Sequence, residues 1–486
     1  MTLPNGPKTP WMLRVFKLIF QPLAYLEDYA QQYGDIIKIG GEKSPPFVYL
    51  SNPQAIKEIF SAPPELFDSG RGNAILQYFL GDNSLVLLDG SKHQRQRKLL
   101  MPPFYSDRIR DYSQLICDIT REVTGRWQVG KPFTIRLFMQ EITLRVILQT
   151  VFGLDKGERF QKLRHLLSNL MDMFNSPVSS TLLFFPSLRQ DWGDLSPWGR
   201  FLRQRDRIKQ LIYDEIRERR KLTDFSRNDI LTLLLSARDE AGESMTDDEL
   251  HDELMTLLVA GHETTASALT WALYWIHYLP EVQEKLRYEL ESLGDNPAPT
   301  DISQLPYLTA ICQETLRIYP VAPSTFLRIL KAPMEVMGYQ FETGTSLLPS
   351  IYLVHHREDL YPESKKFKPE RFLQRQYSPY EYLPFGGGNR RCIGAGLAML
   401  EMKLVLATIM SHFHLSLTNN RPAKPIRRGL TIAPPPNLQM LVKPVDSGQW
   451  TVDSSNREKG NNQKSIFPPS ISNKCLIQRL KQLCPE

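Results

Sequence analysis

The sequence predicts a mainly α protein with small β-sheets, built as a single large domain that is followed by a polar tail. Three observations support this fold class. The centre of the chain has helical periodicity over long stretches, short β-like runs appear after residue 320, and periodic pattern is lost near residue 445. We therefore expect one domain over residues 1–445 and a loosely ordered segment over residues 446–486.

The central helices are predicted from apolar spacing and from one capping signal. From Phe201, the segment FLRQRDRIKQLIYDEIRERRKL repeats apolar residues every three or four positions. The segment MTDDELHDELMTLLVAGHETTASALTWALYWIHYL begins with Thr246 and Glu249 in capping-box spacing and stays apolar for many turns. Since an α-helix rises about 1.5 Å per residue, this second helix can cross most of the domain.

The strands are predicted in two later stretches. Between Val321 and Arg357, short β-like runs are separated by Gly338 and by Thr343-Gly344. In RRGLTIAPPPNLQMLVKP, a run of three prolines at positions 434–436 separates two strands. We expect these strands to form small sheets beside the helices.

Composition excludes several classes of protein. Lys and Arg number 59 against 53 Asp and Glu, a net charge of only +6 over 486 residues, so nucleic-acid binding is not indicated. The five cysteines lie far apart and form no C-x-x-C pair, which argues against a disulfide framework and a zinc site and favours the cytoplasm.

The amino-terminal apolar run is not a transmembrane anchor by its sequence. It is proline-rich and is broken by Arg14, Lys17 and Pro22, so it fails both as a membrane span and as a signal peptide. An amphipathic segment from Trp11 to Leu26 leaves a peripheral membrane contact open, beside the alternative that it packs on the protein's own core.

The stretch FGGGNRRCIG places a lone cysteine on a glycine-rich loop. Glycines 386–388 allow positive φ and remove side chains that would collide with a flat cofactor. From Ala395 the chain reads as a long apolar helix, so Cys392 precedes a helix N-terminus that favours a thiolate, and two neighbouring arginines add positive charge. Taken alone, the alternative is an inert buried cysteine.

Spacing decides between these two alternatives. Phe385, Gly388, Arg390, Cys392 and Gly394 match F-x-x-G-x-R-x-C-x-G, and this loop resembles the haem-binding loop of the cytochromes P450. The resemblance covers roughly residues 3–444 and is to soluble bacterial members, those of cyanobacteria among them. It implies the cytochrome P450 fold, with haem b between the long central helix and the cysteine-bearing helix, Cys392 as axial ligand of the iron, and O2 as co-substrate.

The sequence AGHETT at positions 260–265 resembles the oxygen-activation motif of the same family. The resemblance implies that Ala260, with Gly261, leaves room above the haem, and that Thr264 and Glu263 deliver the protons that dioxygen cleavage requires. Glu263 is expected to connect to solvent. His262 is expected to pack against its neighbours and not to bind metal.

Two further sets of residues follow from the resemblance. Glu314, Arg317 and Arg371 match the E-x-x-R motif and its partner, and are expected to form a buried ionic network that supports the haem site. The expected partners of the haem propionates are His93, Arg97, Arg328 and Arg390. His93 departs from the family, where tryptophan is common, and its protonation state is left open.

Substrate and partners are predicted from the same comparison. Leu85, Val86, Val321, Ala322 and Ser324 fall where the family lines its substrate pocket, and they are small or apolar, so we expect a hydrophobic small molecule. Hydroxylation of a long-chain fatty acid or alkane is the first expectation, and of a terpenoid or steroid the second.

No flavin or iron–sulfur segment is evident in the sequence, so electrons are expected from a ferredoxin or flavodoxin with its reductase. A basic rim of Lys92, Arg95, Lys98 and Arg391 would suit such an acidic partner. We expect a monomer.

Two alternatives stay open at this point. The first is a peroxygenase, isomerase or dehydratase with the same fold, which Glu263 and Thr264 argue against, because such enzymes often lack the acid and threonine pair. The second is a non-catalytic haem binder or gas sensor, which would need neither a proton relay nor a docking face for a redox partner.

Overall fold

The structure is a computed structural model that describes residues 4–40, 45–173, 177–221, 227–294 and 296–444. The expectation for residues 446–486 lies outside the described residues and stays a prediction.

Twenty α-helices are present in the described part of the chain. They are α1 (Trp11–Phe20), α2 (Pro22–Tyr33), α3 (Pro53–Ser61), α4 (Ser69–Gly72), α5 (Gln77–Leu80), α6 (Gly90–Leu100), α7 (Ser106–Asp111), α8 (Ser113–Thr124), α9 (Ile135–Phe152), α10 (Gly157–Asp172), α11 (Pro177–Phe184), α12 (Pro197–Lys221), α13 (Ile230–Ser236), α14 (Asp247–Tyr278), α15 (Pro280–Glu291), α16 (Pro299–Gln304), α17 (Pro306–Ile318), α18 (Ile351–His355), α19 (Arg371–Gln374) and α20 (Ala395–His412).

The strands of the described residues are short and form four small sheets. They are β1 (Ile36–Ile39), β2 (Phe47–Leu50), β3 (Phe67–Asp68), β4 (Pro132–Thr134), β5 (Arg328–Leu330), β6 (Met334–Val336), β7 (Tyr339–Phe341), β8 (Ser346–Pro349), β9 (Leu415–Leu417), β10 (Ile426–Arg428), β11 (Thr431–Ala433) and β12 (Gln439–Val442).

The largest sheet joins the two ends of the domain. Its strand order is β1-β2-β8-β5-β3, and β2 runs parallel to β8 with Val48 opposite Leu347. The other sheets are β4-β12-β9 and the pairs β6-β7 and β10-β11. The mainly α class with small sheets is therefore confirmed.

The long helix α14 lies at the centre of the main core. It begins with the predicted capping box, in which the Thr246 hydroxyl accepts the Glu249 N–H at 3.2 Å and the Glu249 carboxylate accepts the Thr246 N–H at 2.9 Å. Its apolar residues pack against α9, α12 and α20, and Leu254, Leu269 and Trp271 are fully buried. This helix gives the fold a rigid central axis on which a site can be built.

Helix α20 follows the cysteine loop and packs against α8 and α14. Among the described residues it is the one helix long and apolar enough to cross a membrane, but 61% of it is buried inside the protein. Core helices of this kind meet the same criteria of length and composition, so this is weak evidence for a span.

The predicted elements are largely present, with one exception in the β-like region. Helix α12 buries Ile208, Ile212 and Ile216 on one face, as the spacing predicted. Residues 351–355 form helix α18 instead of a strand, because the Ser350 hydroxyl accepts the Leu353 N–H at 3.4 Å and starts a helical turn.

Candidate haem site

Helix α14 is buried along most of its length, but a short stretch near its middle is accessible. Residues 250–258 and 265–274 are buried, whereas Ala260 is exposed and Gly261 and Thr264 are partly exposed. Because this stretch lies in the middle of a buried helix, it faces an internal space and not the outer surface. The Thr264 hydroxyl donates to the Ala260 carbonyl at 2.6 Å, so its oxygen keeps lone pairs toward that space.

Gly261 and Gly387 allow close packing of neighbouring helices instead of leaving room for a cofactor, whereas two other glycines of the site have the expected backbone conformation. A Cβ atom on Gly261 would lie 2.8 Å from Ile147 Cδ1, so this glycine allows close packing of α9 on α14. Gly386 and Gly388 have φ values of 67° and 63°, as expected for the loop. Gly387 is extended, and its Cβ would lie 2.1 Å from the Phe60 ring, so its side chain would collide with α3.

Cys392 lies at the end of this loop, next to the N-terminus of α20. Its backbone N–H donates to the Phe385 carbonyl at 3.0 Å and closes the loop. The side chain is solvent-accessible although protein atoms surround it closely, which places it on the wall of an internal cleft. Burial raises the pKa of the Cys392 thiol, against the opposing effects of the Gly394 N–H, Arg97 and Arg391. A cation bound to the sulfur would therefore be needed to keep Cys392 in its deprotonated thiolate form.

The four expected propionate partners come together from three separate elements. His93 and Arg97 lie on α6, Arg328 begins β5, and Arg390 lies in the cysteine loop. Burial, together with Arg390 and Arg97, lowers the pKa of His93 to about 3, so His93 is neutral at physiological pH. Burial and Arg390 lower the pKa of Arg328 to about 10, so Arg328 remains a cation.

This cluster has buried donors that the described protein atoms do not satisfy. Arg390 donates to the carbonyls of Leu85 at 3.1 Å and Leu88 at 2.6 Å and pairs with Asp89, which leaves only its Nε without a partner. Arg328 donates through Nη2 to the Gly387 carbonyl at 2.9 Å, whereas its Nη1 has no partner. Buried, unpaired cationic donors fit an anionic group such as a haem propionate.

The predicted ionic network is present and buried. The Arg317 and Glu314 side chains pair at 2.6 Å, and Arg371 Nε lies 3.1 Å from Glu314. The same carboxylate accepts the Lys368 N–H at 2.8 Å, while Arg317 Nη1 donates to the His355 carbonyl at 2.7 Å. The network therefore ties α17 to the segment that leads into the cysteine loop.

Glu263 differs from the expectation of a direct link to solvent. Its carboxylate pairs with Arg136 and Arg428, the latter at 2.9 Å, and accepts from Gln140 at 3.0 Å. Only 11% of the side chain is exposed, and it faces α9 and β10 instead of bulk water. Among the described residues of this cluster, the surface carboxylate Asp172 lies 3.6 Å from Arg428.

His262, by contrast, lies as predicted. It is buried, and its Nδ1 is 2.8 Å from the Thr143 hydroxyl. Burial, Arg136 and Arg428 lower its pKa to about 3. A neutral packed imidazole of this kind confirms a structural role.

The expected substrate-lining residues are only partly brought together. Val86 and Val321 are partly buried and pack on the main core, where Leu85 is buried. Ala322 packs instead on a separate cluster around Ile56, so the structure does not place it with the others. Ser324 is partly exposed beyond it.

Sequence reasoning missed the side chains that hold the loop at residues 83–85. The Asn83 N–H and amide donate to Asp252 at 2.9 and 3.0 Å, and the Leu85 N–H donates to Glu253 at 2.8 Å. A fourth bond joins the hydroxyls of Ser84 and Thr256 at 2.7 Å. The sequence signal that could have found these contacts was the pair of acids, Asp252 and Glu253, inside an otherwise apolar stretch of helix.

A cysteine on a cleft wall, unpaired buried cations and an accessible face of small residues are the features expected of a haem site with a cysteine ligand. The family model for cytochrome P450 matches residues 4–442. Cytochrome P450 135B1 of Mycobacterium bovis is 36% identical over 444 residues, which cover 91% of this chain and 92% of the relative. Cytochrome P450 135A1 of Mycobacterium tuberculosis is 34% identical over 451 residues, which cover 91% of this chain and 95% of the relative.

Solved structures show the same fold. The cytochrome P450DA heme domain has a TM-score of 0.79 at 23% identity, covering 91% of this chain and 97% of that chain. Retinoic acid bound cyanobacterial CYP120A1 has a TM-score of 0.78 at 24% identity, covering 91% and 99%. The chain belongs to the cytochrome P450 family and is a haem monooxygenase that uses O2.

Proposed function

We propose that this enzyme inserts one oxygen atom of O2 into a hydrophobic substrate, with Cys392 as the axial ligand of haem b iron. The observation that carries this proposal is the set of unpaired buried donors, Arg328 Nη1 and Arg390 Nε, beside the cleft that Cys392 lines. When bound, the haem supplies the iron that activates dioxygen.

The residues around the cleft would hold and shape this cofactor. Arg97, Arg328 and Arg390 bind the propionates as cations, and neutral His93 binds as a hydrogen-bond donor. Phe385, Gly388 and Gly394 form the cysteine loop around the sulfur, and Ala260 leaves space on the opposite side. The network of Glu314, Arg317 and Arg371 fixes the segment before the loop.

Proton delivery is assigned to Thr264 and Glu263. The Thr264 hydroxyl is accessible from the internal space and can orient a water molecule there. Among the described residues, the contacts of Glu263 lead toward the surface through Arg428, which pairs with the exposed Asp172. A proton route through Glu263 therefore requires its carboxylate to leave a guanidinium group for part of the cycle.

The substrate is proposed to be a long-chain fatty acid or alkane first, and a terpenoid or steroid next. Leu85, Val86 and Val321 offer apolar side chains in or against the main core, to which α14 also contributes. The solved structure of CYP120A1, which shares this fold, carries retinoic acid, a long apolar carboxylic acid. That ligand supports the apolar class and does not choose between its members.

Electrons are proposed to come from a ferredoxin or flavodoxin with its reductase, in the cytoplasm, to a monomeric enzyme. Lys92 and Arg391 are exposed and available to an acidic partner. Arg95 and Lys98 of the expected basic rim are less available, because Arg95 pairs with Asp239 and Glu249 and Lys98 pairs with Glu240. The docking surface is therefore smaller than the sequence suggested.

The test begins with the carbon-monoxide difference spectrum of the reduced protein. The parent should show the haem-thiolate Soret maximum and Cys392→Ala should lose it; an unchanged maximum in the variant would disprove the ligand assignment. Turnover with O2 and reduced ferredoxin then separates the alternatives. Product from hydrogen peroxide alone would indicate a peroxygenase, and no product from any fatty acid or terpene that shifts the spin state would indicate a sensor.

A further inference from the structure

Helix α1 presents an apolar surface that the rest of the protein leaves uncovered. Met12, Leu13, Phe16 and Phe20, together called the apolar face of α1, are 41% to 63% exposed. At 3.6 residues per turn they lie within about 100° of the helix circumference. The Phe16 and Phe20 rings lie 4.6 Å apart, so the surface is continuous.

The adjoining side of α1 fastens the helix to the domain. Ile19 is buried, the Leu18 carbonyl accepts from Arg427 at 2.9 Å, and the Trp11 ring lies 6.2 Å from Phe185. The orientation of the helix is therefore set by its own packing. The apolar face is not a core face, which was the alternative for this segment.

A cation borders the apolar face. At about 100° per residue Lys17 lies about 40° from Leu13 around the helix, whereas Arg14 lies on the far side and donates to the Pro7 carbonyl at 3.2 Å. The helix contains no acid, and Lys8 is exposed just before it. The neighbouring carboxylate of Asp28 lies 3.9 Å from Lys17, and both side chains of this pair are well exposed. Such a pair is weak in water and leaves Lys17 able to bind another anion.

We propose that the apolar face of α1 docks on the surface of a lipid bilayer that contains anionic lipids. The four apolar side chains enter the boundary between headgroups and acyl chains, and Lys17 contacts a lipid phosphate. The binding is peripheral and reversible, because one short helix contributes little apolar area. The proposal does not depend on the proposed substrate.

A second copy of the chain fits this surface less well. A symmetric dimer through this face would place Lys17 near the same cation of the partner. Four large side chains are also far fewer than the roughly 20–30 residues a side of a stable interface. Lipid phosphates supply the negative charge that a second copy lacks.

The experiment is sedimentation of the full haem-loaded chain with vesicles of phosphatidylcholine alone or with one quarter phosphatidylglycerol. The parent should pellet with the anionic vesicles. In the double variant Met12→Gln with Phe16→Gln, the partition coefficient should fall at least about tenfold, since each apolar group buried in the interface adds to binding. Lys17→Gln should weaken binding to the anionic vesicles and leave binding to phosphatidylcholine unchanged.

The matched control is Leu137→Gln, because Leu137 is an equally exposed apolar residue on α9. This variant should bind as the parent does. Parent protein that stays in the supernatant with both vesicles, or a double variant that binds like the parent, would overturn the proposal. An unchanged Soret spectrum in each variant shows that folding is intact.

Other occupants of the surface give different results. A dimer in sedimentation equilibrium without lipid that the double variant dissociates would assign the face to a second copy. Brominated lipids should quench the tryptophan fluorescence of Phe16→Trp, whose new ring lies on the apolar face, more strongly than that of the parent. Equal quenching of the parent and of Phe16→Trp would contradict docking through α1.

Discussion

Two threonines of α14 make the same backbone hydrogen bond in different surroundings. Thr264 donates to the Ala260 carbonyl at 2.6 Å on the accessible face, and Thr270 donates to the Ala266 carbonyl at 2.7 Å where it is fully buried. Both bonds have the same local effect on the helix. Only Thr264 can also contact water or substrate in the internal space.

We expect Thr264→Ala to separate electron use from product formation. The fraction of electrons recovered in product should fall by about tenfold or more, since positioned proton transfer contributes on the order of 10²–10⁴-fold to such steps. The spectrum of the haem should not change. Thr270→Ala is the control, and equal coupling in both variants would remove Thr264 from the relay. The measurement is product formed per reduced cofactor consumed.

The Glu263 cluster combines one carboxylate with two buried guanidinium groups. Arg136 and Arg428 both pair with it, and Arg136 also donates to the Ser267 hydroxyl at 3.2 Å. Burial lowers the pKa of Arg136 to about 9, which shows how costly its charge is at this position. The Glu263 carboxylate therefore stabilises the fold by compensating two buried positive charges, whether or not it also takes part in proton transfer.

Glu263→Gln should destabilise the protein strongly. Removing one partner from a buried ion pair costs about 3–5 kcal/mol, because the remaining charges lose their compensation. Chemical denaturation followed by circular dichroism measures the free energy of unfolding. The double variant Glu263→Gln with Arg428→Met should recover part of the loss, since one uncompensated cation is removed. Parental stability in Glu263→Gln would show that the cluster is not a stabilising one.

Residue spacing explains which site residues the sequence could predict. Cys392, Glu314 and Arg317 sit in short motifs whose members are neighbours in the chain, and their arrangement follows from local geometry. Arg136 lies 127 positions from Glu263 and therefore left no local signal. Whether Glu263 faces water or an arginine is decided by how α9 and β10 pack on α14, which no local pattern shows.

At the scale of elements, helices are marked by local sequence patterns, whereas sheets depend on long-range contacts. The helices α12, α14 and α20 could be predicted because an amphipathic or apolar period marks each of them. The strand β2 could not, since it pairs with β8 from nearly 300 residues later, and β1 joins the sheet only through β2. Pairing over that distance depends on the whole fold and not on four-residue strands.

The contact between the cysteine loop and α3 gives a test at this scale. The Phe60 ring fills the space where a Gly387 side chain would lie, and the Arg328 guanidinium stacks 4.7 Å from the same ring. A residue larger than glycine would push the ring toward Arg328. The loop and the proposed propionate partner therefore share one packed contact.

Gly387→Ala should destabilise the protein and lower the haem content per chain. Overpacking of this kind costs about 1–3 kcal/mol. Phe60→Ala in the same chain should restore the space, so the double variant should be more stable than the sum of the single changes by about 1 kcal/mol. Thermal melts and haem titration measure both effects. Additive losses would show that the ring and the glycine are not in contact.

At the scale of the whole molecule, buried histidines make stability depend on pH. Burial is the main cause that lowers the pKa of His262 and His355 to about 3 and of His277 to about 4. In the unfolded chain each should titrate near its usual value of about 6.5. Between these values the unfolded state binds more protons, so stability rises with pH and is lost as the pH falls from about 6.5 toward 4.

Buried carboxyls act with the opposite sign. Burial raises the pKa of Glu253 and of Glu401 well above their usual value, so in the folded state these groups keep protons that the unfolded state releases. Their contribution to stability falls as the pH rises above about 4.3, the usual pKa of glutamate. The total pH dependence is therefore the sum of opposing groups, and a single histidine must be isolated by substitution.

The variant His262→Asn isolates the contribution of one buried histidine to the pH dependence of stability. Each neutral buried histidine should contribute up to about 1.4 kcal/mol of stability per pH unit in the window below about 6.5. We expect the slope of the unfolding free energy against pH, measured by urea denaturation between pH 6 and pH 4.5, to fall by about that amount in the variant. The variant also loses the bond to Thr143, which lowers stability equally at every pH and leaves the slope unaffected. Exposed His165→Asn is the control, and it should keep the parental slope; an unchanged slope in His262→Asn would mean that His262 takes up its proton in the folded protein as readily as in the unfolded chain.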